Sequence, residues 1–362
     1  MAGQSYENDG IARIKVVGVG GGGCNAVSRM FRERVQGVEY VGVNTDSQAL
    51  MRSEVPLRIR MGEKLTRGLG VGGDPDKGRD SAEESREELY EAIKDSDMVF
   101  VAAGMGGGTG TGAAPVVAEL AREAEALTIA VVTKPFNFEG TRRKKLADEG
   151  IARLKEKVDT LIIIPNERLF AVCDEKVTME NAFRLADDVL RQGVQSIAEL
   201  VTVPGEVNLD FADVKTVMSN AGAAWMAIGR GTGESKAADA AKAAVSSALL
   251  DVSIEGARGI LYNVTGGPDL SLMEVQTAAD VIREAAHPDA NIFFGMVTDM
   301  KMEDEVKITI IATGFSTEER TPQNDDHFSQ LTMDAFHDEA ELEIPPFLRR
   351  QNGNNKRRAR IY

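Results

Sequence analysis

Between residues 14 and 164, short apolar runs alternate with longer segments in which apolar residues recur every three or four positions. The runs are Ile14–Val19, Tyr40–Val43, Met98–Ala103, Thr128–Thr133 and Thr160–Ile164. Most are continuously apolar, as in strands covered on both faces, where a half-solvated strand would alternate. The segments between them read as helices. Asp74-Pro75 opens one of them, with an N-cap followed by proline at the first helical position, and helix is expected to about Lys94. Strands alternating with helices predict a parallel sheet covered on both sides.

The pattern then changes. From about Met179 to Val201, residues Phe183, Leu185, Ala186, Val189, Leu190, Val194, Ile197 and Leu200 form one wide apolar face, and Pro204-Gly205 should end that helix. It reads as a spine between two domains. Farther on, helical periodicity at Glu234–Leu250 and Ser271–Ala286 accompanies strand-like runs at Ala257–Thr265, Asn291–Val297 and Val306–Thr313. This second part is expected to be α+β. From Thr317 to Leu348 there are nine acids and one base, a composition that cannot bury enough apolar surface to fold. Inside it lies the apolar cluster Leu342-Glu-Ile-Pro-Pro-Phe-Leu348, and residues 349–362 hold six bases and no acids.

Composition narrows the function. The chain has 362 residues, with Lys+Arg 42 against Asp+Glu 57, a net charge of −15. An acidic chain argues against duplex binding, which needs a basic face, and no nucleic-acid partner is expected. No apolar run approaches the ~20 residues of a membrane span. The polar start, Met1 to Gly10, is neither a signal nor a transit peptide, so a cytoplasmic location is expected. Cys24 and Cys173 lie far apart, consistent with a reducing compartment. The three histidines, His287, His327 and His337, leave little material for a Ser-His-Asp triad or a multi-histidine zinc site, and no metal-ligand set is expected. The chemistry must rest on carboxylates, hydroxyls, amides and backbone N–H groups.

Three glycine loops carry that chemistry. Gly18-Val-Gly20-Gly21-Gly22-Gly23 follows one strand and precedes a helix, so that backbone can approach an anion near free helical N–H groups. A tight strand-to-helix turn would also explain it. So would a dinucleotide-binding fingerprint, with Asp46 ending the second strand. The second loop, Gly104-Met-Gly106-Gly107-Gly108-Thr109-Gly110-Thr111-Gly112, sets two hydroxyls among its glycines, a cradle suited to a polyphosphate. Gly68-Leu-Gly70-Val-Gly72-Gly73 precedes the Asp74-Pro75 helix. Three such loops in one sheet suit a triphosphate, where an ordinary dinucleotide fold uses one. No G-x-x-x-x-G-K-[ST] occurs, which excludes the usual P-loop.

GGGTGTG at Gly106–Gly112 resembles the signature of the tubulin/FtsZ family, the bacterial cell-division GTPases among them. The resemblance continues through VVTKPFNFEG (Val131–Gly140), IPNERL (Ile164–Leu169), NLDFADVK (Asn208–Lys215) and IPPFLRR (Ile344–Arg350). It implies a Rossmann-like parallel-sheet GTPase domain over residues 11–178, after a flexible N-terminus (1–10). A central helix (179–203) and a smaller α+β domain carrying the catalytic loop (204–316) would follow. A disordered acidic linker (317–341), a partner-binding peptide (342–350) and a basic tail (351–362) would complete the chain.

The resemblance also implies roles. Gly20, Gly21, Gly22, Gly107, Gly108, Thr109 and Gly110 would hold the phosphates of GTP or GDP, with Mg²⁺ accompanying the nucleotide. Gly72 and Gly73 would sense the γ-phosphate. Asn25, Glu139, Arg143 and Asn166 would contact ribose, base or phosphate. Phe183 and Asp187, one turn apart on the spine helix, would meet the guanine; core packing and a solvated helix face are their plainer explanations. Asn208, Asp210 and Asp213 match the loop that the family inserts into the neighbouring subunit's site, where the two aspartates polarise the attacking water. Without the resemblance, Asp210 reads as a helix cap.

The family polymerises head-to-tail into filaments at the mid-cell division site and meets adaptors through the peptide matching Ile344–Leu348, so any membrane contact would be indirect. Two readings from other classes remain open on the sequence. An NAD(P)-dependent oxidoreductase would rest on Gly18–Gly23 and be told apart by competition between guanine and adenine nucleotides. A nonhydrolytic tubulin-like scaffold would need Asp210 and Asp213 to be idle. Cys24, where the family often has glycine, is expected to make the phosphate loop sensitive to oxidation.

Overall fold

The computed structural model describes residues 12–35, 37–172, 178–202, 207, 209–247, 254–302 and 304–315. In chain order the first elements are β1 (Ile14–Val19), α1 (Gly20–Arg32), β2 (Val38–Asn44), α2 (Ser47–Arg52), β3 (Leu57–Arg60), α3 (Glu63–Thr66), α4 (Pro75–Glu84), α5 (Arg86–Ile93), β4 (Met98–Gly104), α6 (Thr109–Glu123) and β5 (Leu127–Lys134). They are followed by α7 (Thr141–Lys155), β6 (Thr160–Pro165), α8 (Met179–Thr202), α9 (Phe211–Met218), β7 (Gly222–Thr232), α10 (Lys236–Val245), β8 (Gly259–Gly266), α11 (Leu272–Ala285), β9 (Asn291–Thr298) and β10 (Glu305–Thr313).

The strands form one mixed sheet in the order β3-β2-β1-β4-β5-β6-β7-β10-β8-β9. Every neighbouring pair from β3 to β7 is parallel. β10 runs antiparallel to both β7 and β8, and β9 pairs parallel with β8. The chain leaves β1 toward β2 and β3, then returns to lay β4 on the other side of β1. That reversal opens a crevice at the carboxyl ends of β1 and β4.

The continuously apolar strands are buried on both faces, as their sequence requires. In β4, Met98, Phe100 and Ala102 enter the core shared with α1 and α8. Val99, Val101 and Ala103 enter the opposite core with α4 to α7. α8 packs its apolar stripe into the first core, which also takes in Met226 of β7, Leu261 of β8 and Ile311 of β10. A third core lies between β7, β8 and β10 and the helices α10 and α11.

The structure departs from the sequence expectations at four places. The helix expected over residues 74–94 breaks at Ser85, whose φ of −103° and ψ of 18° separate α4 from α5. The Ser85 hydroxyl accepts the Gly62 N–H at 3.1 Å, which ties the break to the neighbouring turn. β3 is an edge strand with one buried residue, Ile59, too little apolar signal to stand out. β7 was hidden by its glycines. α10 ends at Val245, short of the expected Leu250; residues 248–250, like Pro204-Gly205, lie outside the described residues.

Candidate functional site

α1 starts directly from β1 at Gly20, and α6 starts just beyond β4 at Thr109. Neither helix has a side-chain cap or an acid in its first turn. Side-chain caps occur on α2, α4 and α11, from Asp46, Asp74 and Ser271; α7 shares the bare, acid-free start of α1 and α6, so what sets those two apart is where they meet. The two uncapped termini meet: a Cβ built on Gly20, whose φ is +72°, would lie 2.9 Å from the Gly110 nitrogen. Two positive dipole ends and their leading N–H groups therefore serve one crevice, an arrangement that favours anions.

The cleft there has a volume of about 450 Å³, in the range of small-molecule sites. Its lining brings together Gly21, Gly22, Asn25, Gly72, Gly107, Gly108, Thr109, Gly110, Glu139, Arg143, Asn166, Phe183 and Asp187, segments that are far apart along the chain. Gly20 is buried beneath this lining and Gly73 is exposed beside it. The third glycine loop joins the second through the Gly108 N–H, which donates to Gly72 O at 2.9 Å. A Cβ on Gly21 or Gly107 would meet no protein atom within 4 Å. Packing does not demand glycine at these two positions, but a ligand lying against the backbone would, so the loops fit a polyphosphate.

The other end of the cleft is polar and aromatic. Glu139 accepts the Phe136 N–H at 2.9 Å and the Arg143 guanidinium at 2.6 Å. Asn166 is buried, and its Oδ1 has no protein partner. A buried orphan of this kind costs about 1–3 kcal/mol, so the site gains by receiving a donor. Phe183 is 40% exposed and stands edge-on to Phe136 at 5.6 Å. One turn later, burial pushes the Asp187 carboxyl up to about 6, against the pull of Arg29. Arg29 reaches Asp187 at 3.6 Å, and its own Nε is buried without a partner.

Sequence reasoning missed Arg29, Thr133, Pro135 and Ala186. Arg29 lies one turn beyond Asn25 on α1, a signal available from spacing alone. Thr133, near the end of β5, and Pro135, just after it, lie within VVTKPFNFEG but were not singled out as site residues. Thr45 was also missed; its hydroxyl meets that of Thr109 at 2.7 Å.

Asn208 lies outside the described residues. Asp210 and Asp213 do not line the cleft. Asp210 occupies the N-cap position of α9, yet its side chain makes no capping bond. Asp210 is exposed and Asp213 half-buried. Two other α9 residues, Phe211 and Lys215, line a hollow with Arg13 and Asp97, which immediately precede β1 and β4. α9 thus lies at the amino ends of the strands, while the cleft lies at their carboxyl ends. β4 has seven residues, so its two ends are roughly 20 Å apart, beyond the reach of a side chain.

The expected oxidation sensitivity of Cys24 is corrected. The thiol is buried and donates to the carbonyls of Gly18 at 3.4 Å and Val43 at 3.5 Å. Burial raises its pKa to about 12, which withholds the reactive thiolate. Among the described residues, no group of acids, histidines and cysteines could hold a metal ion, and no helix is long and apolar enough to cross a membrane.

Residues 13–174 match the model of the tubulin/FtsZ family GTPase domain, and residues 222–316 match that of the FtsZ family C-terminal domain. Among solved structures, an empty FtsZ dimer from M. jannaschii is 46% identical, with 85% of this chain and 90% of that one covered and a TM-score of 0.82. CetZ2 from Haloferax volcanii, solved as a protofilament with bound GTPγS, is 21% identical over 91% of this chain and 99% of that one, with a TM-score of 0.73. It shares the fold.

Proposed function

The chain belongs to the tubulin/FtsZ family and carries its GTPase domain, and from that premise we propose that it hydrolyses GTP in a site completed by the next copy of itself. Gly20–Gly22 and Gly107–Gly110 hold the phosphates, Gly72 and Gly73 follow the γ-phosphate, and Asn25, Glu139, Arg143 and Asn166 hold the rest of the nucleotide. Phe183 and Asp187 receive the guanine. Mg²⁺ arriving with the triphosphate neutralises charge and needs only one or two protein oxygens.

One observation carries this reading. Among the described residues, the only acids lining the cleft are Glu139 and Asp187. Glu139 is occupied by Arg143 and the Phe136 N–H, and Asp187 stands at the aromatic end. Neither is free to orient or deprotonate a water at the γ-phosphate, as phosphoryl transfer to water requires. Asp210 and Asp213 are free of capping work, but they lie at the opposite end of the strands. Head-to-tail stacking would set one subunit's α9 over the next subunit's cleft, and Asn208, which shares the family motif, would act with its aspartates. Such a contact repeats without closing and builds a filament. The dimer of the M. jannaschii relative supports self-association.

The cellular reading follows from the family. The filament forms the division ring at mid-cell in the cytoplasm, and adaptors that bind Ile344–Leu348 bring it to the membrane. That peptide and the tail after it lie outside the described residues. The segment boundaries are those set out above, with residues 11–178 and 204–316 as the two folded parts.

The test is phosphate release from GTP with Mg²⁺ across a range of protein concentrations, with light scattering followed in the same sample. Turnover per subunit should be negligible when dilute and rise together with scattering. Turnover independent of concentration would mean that each chain holds a complete site, and would sink the composite reading.

A further inference from the structure

We propose that Arg29 is a positioning residue for guanine recognition: from α1, it holds the Asp187 carboxylate ionised and in place to accept the N1–H and N2–H of the base. The inference rests on the guanine-nucleotide reading of the cleft and adds a determinant of its specificity.

Two ion pairs cross between α1 and α8. Arg29 faces Asp187 at 3.6 Å, and Glu33 faces Arg191 at 3.0 Å. Glu33 is the C-cap of α1 and keeps right-handed helical backbone, so each side contributes residues four apart on one face, and the polarity of the two pairs is reversed. A slip of one turn would set Asp187 against Glu33, or Arg29 against Arg191. The pairs therefore fix the register of α8 on α1. Because α1 begins at the phosphate loop and α8 carries Phe183 and Asp187, that register sets the span between the phosphate and base ends of the cleft.

The contact suits positioning better than neutralisation. Both side chains are largely enclosed, at 24% and 17% exposure. At 3.6 Å the pair is an ion pair longer than a hydrogen bond. Among the described residues no hydrogen bond reaches the Asp187 carboxylate, whose nearest cation is Arg29 at 3.6 Å, so its lone pairs remain open to a base. Burial raises the pKa of Asp187 to about 6; Arg29 opposes that rise, and neighbouring Asp188 adds to it. Asp188 is itself engaged by Arg191 at 2.8 Å, and across the cleft Arg143 and Glu139 engage each other. Arg29 is thus the cation that faces Asp187. A guanine needs the ionised carboxylate, so affinity must fall as pH drops through that value. Loss of Arg29 must move the fall to higher pH.

The experiment is calorimetric titration of the full chain with GDP, IDP (which lacks the 2-amino group) and ADP from pH 5 to 8.5. Wild type is compared with Arg29→Gln and Arg29→Lys, and thermal unfolding serves as the control for folding. Arg29→Gln should weaken GDP about tenfold near pH 6.5, the scale of one charge-assisted contact. It should weaken IDP less and shift the acid limb upward. Arg29→Lys should recover part of the GDP preference, and it keeps the question answerable if the glutamine variant unfolds. An unchanged GDP-to-IDP ratio with an unmoved acid limb would overturn the inference, even with weaker binding overall. Wild-type protein that takes ADP as tightly as GDP would instead overturn the guanine reading beneath it.

Discussion

Gly107 and Gly112 are near neighbours that are glycine for opposite reasons. A Cβ on Gly112 would fall 2.0 Å from the Pro75 carbonyl oxygen, whereas one on Gly107 would meet nothing. The first glycine lets α4 and α6 touch; the second keeps space for a ligand. Gly107→Val should therefore leave the melting temperature within a few degrees of wild type and abolish measurable GDP binding by calorimetry, while Gly112→Val should not fold. Asp187 yields a pH prediction with a definite sign. Its pKa rises on folding from 3.8 to about 6, so its contribution to stability is full below the lower value and lost as pH climbs through the upper. Over that window the empty protein should lose about 3 kcal/mol through this group. Urea unfolding between pH 4 and 7.5 should show that loss in wild type and not in Asp187→Asn; equal slopes would assign it elsewhere. Cys24 had an apparent chemistry in the sequence that its burial removes.

At the scale of elements, β7 shows what a hydrophobic pattern hides. Gly229 and Gly231 fall on one face of the strand, and a Cβ on either would lie 2.0 Å from a carbonyl of α10. The helix answers with Ala237, Ala240, Ala241 and Ala244, all buried. Strand and helix pack backbone to backbone, so the strand carries glycine where a sequence reader looks for valine. Gly229→Ala should cost about 1–3 kcal/mol by overpacking, measurable in urea. A matched pair of aspartates tests the caps. Asp74 accepts the Lys77 N–H at 3.2 Å, and Asp74→Ala should cost about 1 kcal/mol. Asp210 stands at the same position of α9 without such a bond. Asp210→Ala should leave urea stability unchanged while turnover falls; a stability loss like that of Asp74→Ala would return Asp210 to capping.

For the whole molecule, the decisive relation is the length of the parallel strands between the cleft and α9. If the carboxylates act across subunits, defects at the two ends should complement. Asp213→Ala keeps its cleft and lacks a carboxylate; Gly107→Val keeps the carboxylates and lacks a working cleft. Each alone should show little GTP turnover, and an equal mixture should recover a substantial share by phosphate release. A mixture no more active than its parts would place both functions within one chain.

The sequence alone determined most of the parallel half of the sheet, because strands buried on both faces must be apolar at every position and helix caps are local chemistry. It also marked the glycine loops, since so many flexible residues at strand ends have few other uses. Tertiary structure decided what depends on proximity: that α1 and α6 bring uncapped ends to one crevice, that Arg29 stands over Asp187, that Cys24 is sealed, and that Asp210 is left uncommitted. It also decided β3 and β7, whose signals were weak for opposite reasons, an edge too polar and a face too bare. Those outcomes turn on distances between segments remote in the chain, and local pattern carries no term for them.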